Sequence, residues 1–134
     1  MAKALWISRH EATEEQLAEI SRVGNTLGAL EEGKLLGSRN LATEEDVEKF
    51  MLDLHALIRQ EEAEAVYGVF AAPIHREIAK ETSEIYERRG NGWNDDTVAC
   101  FSAWNVQRSV EGQKPTFEHK RFVWVGDIYN VPEK

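Results

Sequence analysis

The chain holds one cysteine, Cys100, set inside an apolar run. No disulfide framework is available to it, and the residue reads as a small buried hydrophobe in a reducing compartment. The four histidines are scattered and, with this one thiol, lack the spacing of a metal site, so no metal and no cofactor is expected. No apolar run approaches the ~20 residues a membrane span needs, and the N-terminus does not have the make-up of a signal peptide. A cytoplasmic protein without membrane contact is the expectation. A Gly-rich phosphate loop is also missing, which argues against ordinary dinucleotide or triphosphate binding. Positive charge is scarce: 16 Lys and Arg face 24 Asp and Glu, a net charge of −8. Long DNA or RNA would be repelled at a distance. The deficit is uneven, however. Residues 1–87 carry 18 acidic and 9 basic side chains, whereas residues 88–125 carry 4 acidic and 6 basic, so a small anion could be received locally.

What is present fits one globular domain spanning residues 1–134, with 42% hydrophobic and 30% charged residues and no internal repeat. Ala4-Leu5-Trp6-Ile7-Ser8 reads as a short buried strand that ends in Arg9-His10-Glu11. Thr13 and Gln16 then have capping-box spacing before a helix carrying Leu17, Ile20 and Val23. Residues 24–42, broken by four glycines, read as a long connection with a short strand near Leu27–Leu30 or Leu35–Leu36. Thr43 to Asp46 opens a helix whose apolar stripe is Val47, Phe50, Met51, Leu54, Leu57 and Ile58. A strand, Ala65 to Ala71, follows. A helix comes next, with Pro73 at its first position, Ile74, Ile78 and Ile85 on one face, and Gly90 as its cap. Asn91 to Asp96, including Trp93, reads as a polar turn.

The C-terminal part is a β-ribbon over residues 98–126, turning at residues 111–115. A register folded at Gln113 sets Trp104 against Phe122, Arg108 against Glu118 and Phe101 against Val125. Its other face then gathers Asn105, Gln107, His119 and Arg121. Alternating strands and helices imply an α/β fold: a mostly parallel sheet with helices on both faces, closed by one antiparallel strand.

Ligands of such sheets sit beyond the carboxyl ends of the strands. Those ends are Ser8-Arg9-His10, Ala71-Ala72-Pro73, and Asn105 onward with Gln107, Arg108, Lys120 and Arg121. The helix at Pro73 would aim backbone N–H groups at the same crevice. His10 and His119 have two readings each. His10 either closes a turn or moves a proton; His119 is either an exposed strand residue or part of a site with Arg121 and Asn105. Arg108 has Glu118 as its cross-strand partner. His55, beside the apolar stripe of its helix, reads as structural, and the Glu-rich helix faces as solvated surface.

The segment ISRHEATEEQLAEI, with CFSAWNVQRSVEG and FEHKRFVWVG late in the chain, resembles the small single-domain CARF-like proteins of type III CRISPR systems, CARF meaning CRISPR-associated Rossmann fold. Thr13, Glu15 and Gln16 fall in the first motif, Arg108 and Glu111 in the second, and Phe117, His119 and Phe122 in the third. The resemblance implies a three-layer Rossmann-like domain that recognises cyclic oligoadenylate, the antiviral second messenger. A symmetric ring suits matched half-sites in a homodimer. It also implies two activities. One is a ring nuclease, in which a ribose 2′-OH attacks its neighbouring phosphate and leaves a 2′,3′-cyclic phosphate, without metal. His119 or His10 would assist the proton transfer, and Arg121 and Arg9 would stabilise the phosphorane. The other is a sponge that holds the ring intact. A third reading is a phage protein whose acidic faces bind a protein partner.

Overall fold

The structure is a computed structural model that describes residues 2–89, 97–109 and 111–129. The expected Gly90 cap, the turn at 91–96 with Trp93, Val110, and the side chains of Arg108 and Phe117 lie outside the described residues. The elements are β1 (Ala2–Ile7), α1 (Glu14–Arg22), β2 (Asn25–Leu27), α2 (Leu30–Gly37), α3 (Glu44–Glu61), β3 (Ala65–Gly68), α4 (Ala72–Arg89), β4 (Thr97–Arg108) and β5 (Thr116–Tyr129). The fold is α/β. Five strands form one mixed sheet in the order β2-β1-β3-β4-β5, parallel from β2 to β4 and antiparallel between β4 and β5.

Local chemistry sets the two best-defined helix starts. Thr13 accepts the Gln16 N–H while Gln16 accepts the Thr13 N–H, and Thr43 and Asp46 repeat the arrangement at α3. Each box satisfies two backbone donors that a helix start leaves open. The α3 stripe from Val47 to Ile58 is buried, as its spacing requires. It packs with Leu5, Ile7, Val66, Val98, Cys100 and Ile128 of the sheet and with Ile74 and Ile78 of α4. Ala4, Trp6, Ala65, Tyr67 and Phe122 form a second cluster with Ile20 of α1. Leu5 and Ile7 thus serve one cluster while Ala4 and Trp6 serve the other, as strand alternation dictates.

Residues 24–42 depart from the expected connection. Of the two places open to a short strand, the strand forms near the first, as β2 at Asn25–Leu27, and Leu35–Leu36 falls instead in a helix, α2. Gly33 and Gly37 are spaced one helical turn apart and lie against the backbone of β1. A Cβ on Gly33 would strike the Trp6 carbonyl, and one on Gly37 would sit 2.5 Å from Ser8 Cα. Here the glycines do not break a helix; they let one approach a strand.

The ribbon register also departs from expectation. The expected pairing holds at Cys100↔Gly126, but β5 then slips by one residue at Val125 and again at Lys120. Phe101 therefore pairs with Trp124, Trp104 with Arg121, and Arg108 with Thr116. These are β-bulges, each placing one extra residue on the bulged strand. Pro73 is the second residue of α4, not the first.

Candidate functional site

Ile7, Gly68 and Ser102 stand side by side where β1 and β3 end. β4 continues six residues beyond that level, to Arg108, and carries β5 with it. The ribbon therefore overhangs the carboxyl ends of the parallel strands, where an α/β sheet places its ligands.

At the end of β1, Ser8 is buried, whereas Arg9 and His10 are exposed. His10 closes a turn. Its N–H donates to Ser8 Oγ at 3.2 Å, and its carbonyl accepts the indole N–H of Trp6 at 2.8 Å. Its ring nitrogen Nε2 accepts from Arg9 Nε at 3.3 Å. The backbone reading of His10 is thus realised, and its ring still faces outward beside a guanidinium. A cleft of about 470 Å³ opens here between α1 and α2, lined by Trp6, His10, Glu11, Leu17, Leu30 and Lys34 among others.

At the end of β3, Ala71 and Ala72 are exposed, but the start of α4 offers few donors. Pro73 has no N–H, and those of Ile74 and His75 both close on the Ala71 carbonyl, at 2.9 and 3.1 Å. The expected cradle of free N–H groups is not formed, because one carbonyl takes two of them.

The ribbon splits its candidates between two faces. Trp104 and Asn105 are consecutive and point opposite ways. Asn105 pairs with His119, and both lie on the face of Phe101 and α1. Trp104 pairs with Arg121 on the face of Cys100 and α4. The bulge at Lys120 separates them, so Arg121 does not join Asn105, Gln107 and His119 as the expected register required. His119 is drawn inward. Its Nε2 bonds Glu19 Oε1 at 3.0 Å, and its side chain is only 4% exposed. Its ring centroid lies 4.9 Å from that of Phe122, and Nδ1 has no partner among the described residues. Gln107 and Lys120 are exposed, with Lys120 Nζ 3.4 Å from Glu118.

On the other face the Arg121 guanidinium lies 5.4 Å from the centre of the Trp104 ring, and Trp104 is 49% exposed. A half-bare indole with a cation over it can stack an aromatic group and attract an anion together. Sequence reasoning gave Trp104 only a cross-strand aromatic partner, Phe122. The signal was there: Val98 to Ala103 are apolar or small on both faces of the strand, and that pattern stops at Trp104. Glu19 left no signal at all, being one of several glutamates on a short helix. Among the described residues no group of three or more His, Cys, Asp or Glu is placed to hold a metal, and no helix is long and apolar enough to cross a membrane.

No family model, curated protein or solved structure matches this chain.

Proposed function

We propose that the protein recognises a cyclic oligoadenylate on the overhanging ribbon and holds it without cleaving it. The observation that carries this reading is the exposed Trp104 ring with Arg121 over it, beyond the ends of the strands. Adenine stacking on an aromatic ring contributes about 1–3 kcal/mol per base. Arg121 adds a donor fork for the adjoining phosphate. Lys120 precedes Arg121 at the bulge, whereas Asn105 and Gln107 lie on the opposite face of the ribbon, and Arg9 and His10 lie at the end of β1, with β3 between that strand and β4. Holding is favoured over cleavage because His119 is already bonded to Glu19 and almost fully covered. A proton-transfer group has to reach the substrate within hydrogen-bond distance.

In this reading the sheet, with α1 on one face and α3 and α4 on the other, is a three-layer, CARF-like domain of a type III CRISPR response. The protein works in the cytoplasm as a homodimer whose two ribbons meet the symmetric ring. The second reading, a ring nuclease, rests on the exposed Arg9–His10 pair, which could serve proton transfer in place of His119.

A thermal-shift panel of cyclic di-, tri-, tetra- and hexanucleotides tests binding. A ligand at 100 times its Kd stabilises the folded state by about 2.7 kcal/mol. Chromatography of the products in EDTA then separates an intact ring from a cleaved one. No shift with any ring rules out both readings.

A further inference from the structure

β5 is the last strand of the sheet, so among the described residues one of its two edges has no strand beside it. In an antiparallel strand every second residue turns both its N–H and its C=O to the same side. At such an edge these groups form a template for another chain. At Asp127 and Tyr129 both groups, and at Phe122 the N–H, are occupied by side chains.

The Asp127 N–H donates to Thr82 Oγ1 at 2.9 Å, and the same hydroxyl lies 3.0 Å from the Asp127 carbonyl, shared with that of Ile78. Two residues on, the Tyr129 N–H donates to Glu81 Oε2 at 2.7 Å, while the Tyr129 carbonyl accepts from His55 Nδ1 at 2.8 Å. Glu81 and His55 are bonded to each other at 2.9 Å, closing a ring. Nearer the overhang, the Phe122 N–H donates to Glu19 Oε2 at 2.9 Å, and Glu19 in turn holds His119. Three helices, α1, α3 and α4, supply these groups. At Asp127 and Tyr129 they serve donor and acceptor alike, as a neighbouring strand would.

We infer that these side chains stand in for a sixth strand and keep a second copy of the chain from extending the sheet at β5. This goes beyond the nucleotide reading and does not depend on it. At the opposite side of the sheet the edge strand, β2, is only three residues long. β2 covers only Ala2 to Ala4, and α2 is pressed against the backbone of β1 beyond that point through Gly33 and Gly37.

The test compares Thr82→Val/Glu81→Ala with the conservative pair Thr82→Ser/Glu81→Gln, which keeps acceptors for both N–H groups. Molar mass is followed by light scattering over a concentration series, folding by circular dichroism, and the Asp127 and Tyr129 amides by hydrogen exchange. The first variant is expected to fold and to reach at least twice the wild-type mass as concentration rises. Its two amides should exchange faster when dilute and regain protection on association. The conservative pair should keep the wild-type mass. A folded first variant that holds the wild-type mass throughout overturns the inference, as does equal association of the conservative pair. Should the first variant not fold, Thr82→Val alone is judged by the same two outcomes, since it exchanges a hydroxyl for a methyl of similar size.

Discussion

His55 provides a direct test of how the C-terminal end of β5 is fastened. Its two ring nitrogens face a carboxylate and a backbone carbonyl, at 2.9 Å and 2.8 Å. Both partners only accept, so both bonds form together only when the ring carries two protons. Burial is the largest single influence on this imidazole and acts to lower its pKa. The Glu81 bond, the Glu81 charge and the Tyr129 carbonyl together outweigh burial and the weaker repulsion of Arg59, so the net shift is upward from 6.5. A folded-state pKa above the unfolded one gives stability that is complete below about pH 6.5 and fades as pH rises through the folded value. His55→Leu keeps the volume and removes both donors. A hydrogen bond to a charged group contributes about 1.5–3 kcal/mol. The two side chains are 18% and 19% exposed, which places the pair toward the lower end, at roughly 2 kcal/mol. For a chain of this length that is a fall in Tm of roughly 6–10 °C. Urea melts of both proteins at pH 5.5, 7 and 9 would measure it. The gap between wild type and variant should be widest at pH 5.5 and narrow by pH 9, where a neutral ring can serve only one acceptor. A gap that stays constant across the series would refute the doubly protonated ring. His119 does not confuse the result, because both proteins retain it.

Three further outcomes follow from the geometry. Gly37→Ala should cost at least about 2 kcal/mol, since α2 has to move off Ser8; urea melts check this, with the exposed Gly24 as control site, although its φ of 87° makes alanine there mildly strained. The Cys100 thiol is fully buried and its pKa is pushed up by burial, so it should resist a thiol reagent in native protein at pH 8 and react at once in urea. If the ribbon holds the ring as proposed, Trp104→Ala should keep the wild-type circular dichroism spectrum, the indole being half exposed, while weakening binding of cyclic oligoadenylate by roughly 5- to 150-fold in a titration.

Local signals carried much of the fold. Thr13 with Gln16 and Thr43 with Asp46 announce their helices because a cap is a contact between residues three apart. The α3 stripe and the buried strands follow from periodicity alone. Residues 24–42 were opaque because Gly33 and Gly37 have their purpose in β1, a partner distant in sequence. The ribbon shows the same limit. Its strands were legible, but its slips were not, because the groups that hold β5 along its outer side, Glu19, Glu81 and Thr82, belong to helices. A slip of one residue at Lys120 was enough to divide the expected site between two faces. His55 was readable as structural from its place beside the stripe, though not its partners.

The overhang of β4 and β5 past Ser102 makes this part of the molecule a cantilever. Near its root, on the α1 side, it is tied to the body through Glu19, which holds both the Phe122 amide and the His119 ring. The same helix begins just after Arg9 and His10, so one short element borders both the root of the arm and the loop at the end of the first strand.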